Sequence, residues 1–447
     1  MEKRFCFREF SRYTILSILG TLGVSCYILA DTFFVSVGLG SRGLAALNLA
    51  IPVYNFIHGT GLMLGMGGAA RFSVSKSQNK QGQVDSIYSN TVRLAVIFSA
   101  LFFVLGLFFA GNLAAALGAD HQIYNMTTVY IKWLLIFAPA FIFNDVFLCF
   151  VRNDGSPQLS MTAMLIGSFS NILLDYIFIF PLHMGLFGAV FATGLSTIIS
   201  MAFMSPHWLK QKNTFHMVKE KFRGNMAKKT IALGLPSLIA QASSGVVMIV
   251  FNMLILNLEG NVGVAAYGVV ANISLVVLGI YTGIAQGVQP LLSDFYGRNE
   301  RTGIHKVLRY AMWTMLIFSL VIYGLLFVFA QPVTSVFNSE HNQELQNIAV
   351  TGLKIYFLSN VFAGYNTILA TYFISVEKAV PAQVLSVLRG FLLMIPVVFI
   401  SSYLWKMTGV WAAYPLTEML VSVIGYILYR RYNKTSQTSH INFSYAP

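Results

Sequence analysis

The stretch that decides the fold is Ser170 to Thr193, which reads SNILLDYIFIFPLHMGLFGAVFAT. It contains two apolar runs separated by a short turn at residues 182–184, and Asp175 stands inside the first run. An ionised carboxylate at the centre of a membrane helix raises the free energy of insertion by roughly 2.5 to 3.5 kcal/mol. Such a residue is therefore expected to have a partner group or a functional role. We therefore interpret the stretch as a membrane hairpin that carries a functional acid.

The composition of the whole chain indicates a polytopic membrane protein. Of the 447 residues, 56% are hydrophobic and only 10% are charged, whereas about 25% charged residues are typical of soluble domains. The three cysteines, Cys6, Cys26 and Cys149, are too few and too scattered for a disulfide framework or a thiolate metal site. The apolar run after the basic N-terminus is longer than a signal-peptide core, so we expect it to remain as the first membrane helix.

Apolar runs of about 20 residues or more predict twelve membrane helices. Their approximate ranges are 12–38, 44–71, 89–110, 125–150, 158–181, 185–207, 227–258, 262–291, 305–330, 346–375, 380–403 and 409–431. With both termini in the cytoplasm, only Arg42, Lys132, Lys354 and Lys406 of the 29 lysines and arginines fall outside, as the positive-inside rule requires. The net charge of +13 then reflects membrane topology and anionic lipid. We expect a multi-pass protein of the plasma (inner) membrane that does not bind nucleic acid.

A basic segment at residues 209–229 divides the predicted helices into two sets of six. We expect an N-terminal bundle at 1–208, a C-terminal bundle at 230–432 and a tail at 433–447. A shift of 220 residues places Gly40 on Gly260 and Asn79 on Asn299. Since six is an even number, both halves share one orientation, which predicts an all-α fold of two pseudo-symmetric bundles around a central cavity.

Four oxygen-bearing side chains, those of Asp31, Asn171, Asp175 and Thr193, are predicted to meet in the outer half of the first bundle. Asn171 lies on the helical face of Asp175, four residues away. The helical rise places Asp31, Asp175 and Thr193 roughly 10, 9 and 12 Å from the outer ends of their helices. Such oxygens suit Na⁺, and two neighbouring carboxylates can instead share a proton. The sequence therefore predicts a site for Na⁺ or H⁺, and no other metal or cofactor is expected.

Two further acids and one histidine fall well inside predicted helices. Glu418, nine residues into the twelfth helix, is a candidate for a second proton or substrate-charge site, with a solvated cavity wall as the alternative. Asp145 lies within two turns of Arg152, which predicts a structural ion pair or interfacial snorkelling. His58 has no histidine or carboxylate three or four residues away, so a packing role is favoured over a proton relay.

The motifs of nucleotide-driven and hydrolytic enzymes are missing from the sequence: a phosphate-binding glycine-lysine loop, a paired-histidine metal motif and a nucleophile elbow. We therefore do not expect an enzyme, although a membrane-embedded enzyme using Asp145, Glu418 and His58 is an alternative of another class. A flippase for a lipid-linked precursor or a polysaccharide exporter is the nearer alternative. It would favour cationic residues deep in the membrane, whereas nearly every lysine and arginine here falls at a predicted helix end.

The order of several short motifs resembles the prokaryotic branch of the multidrug and toxic compound extrusion (MATE) family. The motifs are Asp31-Thr32, GLAALN at 43–48, NILLD at 171–175 and G-x-x-GA-x-x-AT at 185–193. The similarity covers about residues 10 to 432. Many relatives have a proline in the first helix, but residues 11–38 have none, so Gly20 and Gly23 would have to supply a softer bend.

The resemblance implies a function as well as a fold. It implies cation coupling by the N-terminal bundle, which carries over to Asp31, Asn171, Asp175 and Thr193 here. It also implies export of amphiphilic, often cationic, drugs in exchange for Na⁺ or H⁺ by alternating access. We expect a monomer whose partners are small-molecule drugs or toxic metabolites and the lipid bilayer.

Overall fold

The computed structural model describes residues 2–338 and 342–441, and within them the side chains of residues 7–338 and 342–432. Every regular element in these ranges is a helix, which confirms the all-α prediction. The helices are Glu2–Ser77, Gln81–Phe108, Ala110–Ala116, Tyr124–Ile136, Ala138–Asn153, Pro157–Ile179, Gly185–Met204, Pro206–Leu209, Gly224–Gly297, Arg301–Val328, Ala330–Phe337, Gln343–Tyr356, Phe357–Ser359, Asn360–Ser375, Ala379–Val387, Leu388–Leu392 and Met394–Ile441. Of the predicted tail, residues 442–447 lie outside the described residues.

Twelve membrane spans are present in the described chain, as predicted. Nine helical segments are long and apolar enough to cross a membrane, when the bent pair Tyr124–Ile136 and Ala138–Asn153 counts as one. Three of these nine are two helices joined at Gly40, at Gly260 or at residues 405–406, and nine plus three gives twelve. We number the spans 1 to 12 in chain order: 2–39, 41–77, 81–108, 124–153, 157–179, 185–204, 224–259, 261–297, 301–328, 343–375, 379–404 and 407–432.

The internal repeat is visible in backbone conformation as well as in sequence. Gly40 (φ 66°, ψ −162°) joins spans 1 and 2, and Gly260 (φ 62°, ψ −154°) joins spans 7 and 8. Asn79 and Asn299, which follow spans 2 and 8, also have positive φ values of 56° and 58°. Since residues other than glycine and asparagine seldom adopt positive φ, these matched positions support the predicted duplication.

Internal packing divides the chain into two units. Unit 1 comprises Met1–Val246, Asn272–Ala311 and Ile374–Ala379, and unit 2 comprises Val247–Ala271, Met312–Phe373 and Val380–Pro447. This division cuts through spans 7 to 10, so it differs from the predicted domain boundaries at residues 208 and 230. Those boundaries describe the sequence repeat, and they stay a prediction.

Glycines allow the spans of the two repeats to cross closely inside unit 1. A Cβ atom on Gly67 of span 2 would overlap the backbone carbonyl of Thr230 in span 7. At the equivalent position of the second repeat, a Cβ atom on Gly287 of span 8 would lie 2.7 Å from Cα of Thr14 in span 1. Only a residue without a side chain permits these backbone approaches.

The basic segment between spans 6 and 7 packs against unit 1. Its Phe215 is fully buried, with ring centroids 4.4 to 5.5 Å from three aromatic rings of spans 2, 3 and 4. These rings belong to Phe72, Tyr88 and Phe150. The backbone N–H groups of Val218 and Arg223 donate hydrogen bonds to span 3, at 2.9 and 3.0 Å. The segment is therefore a packed element of unit 1.

Asp154 holds the beginning of this segment at the end of span 4. Its fully buried carboxylate accepts hydrogen bonds from Nζ of Lys76 (2.5 Å) and from the backbone N–H (2.9 Å) and hydroxyl of Thr214, and Nε2 of His207 lies 2.9 Å away. Burial raises the pKa of Asp154, but the hydrogen bonds from His207, Lys76 and Thr214 outweigh it and hold the pKa below its usual value. We call these four residues the Asp154 clasp.

Candidate cation site

Span 1 packs along span 5 through glycines, and this packing positions the first acid. A Cβ atom on Gly23 would contact the side chain of Leu165 at 2.7 Å, and one on Gly38 would overlap the side chain of Ile179. Residue numbers increase together in the two contacts, so the spans run in the same direction. Asp31 stands between the two glycines and therefore faces the part of span 5 between Leu165 and Ile179.

The structure brings the four predicted residues together in the interior of unit 1. The exposed fractions are 9% for Asp31, 1% for Asn171, 0% for Asp175 and 6% for Thr193. The carboxyl groups of Asp31 and Asp175 interact with each other. Nδ2 of Asn171 donates to Oγ1 of Thr193 at 3.3 Å, and this hydroxyl donates to the backbone carbonyl of Ala189 at 3.0 Å. Both acids are thus enclosed by protein and shielded from lipid.

Four buried oxygens of this cluster lack a hydrogen-bond donor among the described residues. They are Oδ1 of Asp31, Oδ1 of Asn171 and both carboxylate oxygens of Asp175, so the approach of the two acids does not produce a well-formed hydrogen bond. Leaving a buried acceptor unpaired costs about 1–3 kcal/mol, and more for a charged group. Oxygens that converge without donors are suited to a proton or to a hard cation such as Na⁺.

Tyr130 is a neighbour of the cluster that sequence reasoning missed. Its buried side chain, on span 4, lies within electrostatic range of both Asp31 and Asp175. A phenol can donate a hydrogen bond to a carboxylate or offer its oxygen as a ligand. The only sequence signal was a tyrosine within the predicted helix 125–150, a pattern equally typical of packing.

Glu418 belongs to a separate network inside unit 2. Its side chain is 1% exposed, and Oε1 accepts hydrogen bonds from Nε and Nη2 of Arg389 at 3.1 and 2.8 Å. Oε2 accepts from Nδ2 of Asn366 at 2.7 Å. Arg389 lies in the π-helical turn Leu388–Leu392 within span 11, so it is an exception to the predicted placement of lysines and arginines at helix ends. The carboxylate partner makes this depth tolerable for a guanidinium group. The proton or substrate role of Glu418 stays a prediction.

The structure gives Asp145 a different partner from the predicted Arg152, and it gives His58, for which a packing role was favoured, an acidic neighbour. Nδ1 of His58 in span 2 lies 2.8 Å from Oδ2 of Asp145 in span 4. No well-aligned donor serves this oxygen, so the contact is a close approach of two ionisable groups and not a directional hydrogen bond. Arg152, the predicted partner of Asp145, donates instead to the hydroxyl of Ser160 at 3.5 Å. The prediction failed because the contact joins two helices, where spacing within one helix carries no information.

Comparison with known proteins gives a family match and full-length relatives. The MatE family model matches residues 17–177 and 236–400. The chain is 22% identical over 433 residues to the multidrug export protein MepA of Staphylococcus saprophyticus, covering 96% of this chain and 95% of the relative. It is 23% identical over 429 residues to MepA of Staphylococcus aureus, covering 96% and 94% of the two chains.

Solved structures share the fold at similar identity. A crystal structure of MATE in complex with MaL6 has a TM-score of 0.91 and 23% identity, covering 96% of this chain and 97% of the other. An outward-facing multidrug resistance MATE family transporter of the MOP superfamily has a TM-score of 0.90 and 23% identity, with 96% of each chain covered. At these identities, the similarity concerns the fold.

Proposed function

Because this chain belongs to the multidrug and toxic compound extrusion (MATE) family, we propose that it exports amphiphilic, often cationic, small molecules across the cell membrane in exchange for Na⁺ or H⁺. The coupling of export to Na⁺ or H⁺ is supported by one observation, the four unpaired acceptor oxygens on Asp31, Asn171 and Asp175. The substrate class is supported by the staphylococcal relatives, which are named as multidrug export proteins.

In this proposal, the coupling ion binds among the unpaired oxygens of Asp31, Asn171 and Asp175. Without an ion, the two carboxylates of Asp31 and Asp175 repel each other when both are ionised. A proton or Na⁺ removes that repulsion and supplies the missing partner for the oxygens. Exchange follows if the ion and the drug stabilise different states of the transporter, since a ligand shifts an equilibrium only by its differential affinity.

Span 1 is the element on which the ion acts in this mechanism. It carries Asp31 and packs on span 5 through Gly23 and Gly38, so a change of charge at the acids acts on the contact between the two spans. Residues 2–39 keep helical backbone angles up to Gly40. We therefore expect span 1 to move as a whole about its glycine contacts, without a proline hinge.

Three buried arginines in the described spans argue against a lipid-linked pyrophosphate as the substrate. An anionic head group would need cationic side chains that are not already compensated. Arg71, Arg152 and Arg389 are largely buried, and each donates hydrogen bonds to neighbouring side chains. Recruiting any of them for an anionic substrate would require breaking these contacts.

Efflux from proteoliposomes under separately imposed Na⁺ and pH gradients tests the proposal. Asp31→Asn and Asp175→Asn should each lower gradient-driven efflux at least roughly tenfold, since each removes a charge that the coupling ion must neutralise. The matched control is Asp120→Asn, because Asp120 is exposed and accepts hydrogen bonds from the backbone of residues 122 and 123, which asparagine can also accept. Unimpaired efflux in both site variants would overturn the proposal.

A further inference from the structure

A second pair of ionisable groups lies in unit 1, where span 2 meets span 4. His58 and Asp145 approach to 2.8 Å; the side chain of Asp145 is 7% exposed and that of His58 is 26% exposed. A Cβ atom on Gly61 would lie 2.5 Å from Oδ2 of Asp145, so the absence of a side chain there makes room for the carboxylate. The pair is therefore held by close backbone packing, while the imidazole keeps an accessible edge.

Two tyrosines connect this pair with the candidate cation site. The hydroxyl groups of Tyr27 and Tyr54 are 2.8 Å apart, and the ring of Tyr54 stacks on His58 with centroids 5.8 Å apart and an angle of 9°. Tyr27 precedes Asp31 by one helical turn on span 1. Both tyrosines lie within electrostatic range of Asp31 and Asp145. The two tyrosines thus lie between the two acidic sites, in contact with His58 and within one helical turn of Asp31.

Other groups near the pair leave His58 as the main partner of Asp145. On span 4, Arg152 and Cys149 interact electrostatically with Asp145, but Arg152 is bonded to span 5 and Cys149 packs against Gly65. Span 1 contributes Tyr27. From span 7, Leu238 and Gln241 contact Gly59, and Ser244 accepts a hydrogen bond from Asn55; none of these three side chains carries a charge.

We propose that His58 and Asp145 form a second proton-binding site of unit 1, and that its proton and the cation at Asp31 and Asp175 weaken each other's binding. With the proton on His58, the pair is neutral overall. When the proton leaves, the negative charge of Asp145 is uncompensated and attracts a cation to the first site. By thermodynamic linkage, the bound cation promotes loss of the proton by the same factor.

The size of this coupling follows from Coulomb's law. Two unit charges on the order of 15 Å apart, at an effective dielectric constant of about 20, change each other's binding by about three- to tenfold. The inference rests on the proposed function and deepens it, because it identifies a second place where a proton is bound during exchange.

NMR of the full chain in nanodiscs, with ¹³C-labelled histidine, measures the protonation of His58 without any transport. His58→Gln assigns the signal, and His121, which is exposed, provides the reference signal. We expect His58 to titrate at a lower pH in Asp145→Asn, because the balancing charge is gone. We expect a smaller shift in the same direction in Asp31→Asn/Asp175→Asn. A His58 titration that is unchanged in the double variant would overturn the coupling.

The pH profile of efflux provides the functional test. In His58→Gln, the pair can no longer gain a proton, so the apparent affinity for the coupling cation should be about three- to tenfold tighter than wild type at acidic pH and equal to it at alkaline pH. His121→Gln is the matched control and should keep the wild-type profile. An unchanged profile in His58→Gln, with Asp175→Asn inactive, would overturn this inference alone. Full activity of Asp31→Asn and Asp175→Asn would instead overturn the proposed function.

Discussion

Gly40 and Gly260 adopt the same backbone conformation, with φ values of 66° and 62° and ψ values of −162° and −154°, at equivalent joints of the two repeats. This combination of angles is accessible essentially to glycine alone. A Cβ atom at either position would meet no atom within 4 Å. The demand for glycine is therefore a property of the backbone at both joints and does not depend on neighbouring side chains.

Alanine at either joint should destabilise the protein through backbone strain. We expect Gly40→Ala and Gly260→Ala each to cost about 1–3 kcal/mol, measured as a lower thermal unfolding midpoint of the purified protein. Gly82→Ala and Gly268→Ala are matched controls, because these helical glycines also have open space around their Cβ positions. The controls should be neutral or slightly stabilising. Equal effects at all four glycines would contradict the assignment of strain to the joints.

The Asp154 clasp should be a strong contributor to stability. Asp154→Asn removes the charge that balances Lys76 and removes one acceptor oxygen from a site filled by donors. Breaking such a buried pair typically costs about 3–5 kcal/mol, so the thermal midpoint should fall clearly. Asp85→Asn, at the exposed contact of the same segment with the backbone of His216, should have a much smaller effect. A neutral Asp154→Asn variant would show that the clasp is not stabilising.

The clasp should also release the basic segment in acid. The pKa of Asp154 is lower in the folded protein than its ordinary value of 3.8, so the clasp contributes fully above about pH 4 and is lost as pH falls through the folded pKa. Hydrogen exchange at the Thr214 amide, corrected for the intrinsic pH effect, should lose protection in that range. The Arg223 amide, which donates to Asn90, is the internal control and should keep its protection. Simultaneous loss at both amides would indicate general unfolding.

Replacing Asp175 with asparagine should not lower the thermal unfolding midpoint, in contrast to the same replacement at Asp154. Asp175 has no hydrogen-bond donor among the described residues and lies beside a second acid, so asparagine removes a repulsive charge without breaking a bond. We expect the thermal midpoint of Asp175→Asn in Na⁺-free buffer to equal or exceed that of wild type. The gain should be largest at alkaline pH, where both acids ionise. A midpoint lowered as far as in Asp154→Asn would contradict the unpaired state of Asp175.

Much of the fold could be predicted because membrane insertion requires long apolar runs. The twelve spans and the repeat followed from such runs and from matched glycines such as Gly40 and Gly260. The convergence of Asp31 with Asp175 could also be predicted, since helical rise alone places both acids at one depth. That these residues bind a cation remains a prediction.

Pairs of side chains that depend on which helix faces meet could not be predicted. The pairing of His58 with Asp145 depends on which faces of spans 2 and 4 meet, and nothing in the local spacing records this. Arg389 is the tenth residue of the predicted helix 380–403, but its pairing with Glu418 on another helix could not be inferred from sequence spacing. The position of Tyr130 beside the acids has the same explanation. In each case the decisive neighbour lies on another span.

The two repeats share their glycine joints but differ at the positions of the two acids. The shift of 220 residues places Phe251 at the position of Asp31, and a shift of 224 residues, which pairs Gly185 with Gly409, places Phe399 at that of Asp175. Phe251 stacks on Tyr267 at 5.5 Å, whereas Phe399 is 43% exposed. The two copies thus share an architecture but differ in chemistry at these positions. The acid pair belongs to the first copy alone, so the duplicated backbone does not by itself create a second site of the same kind.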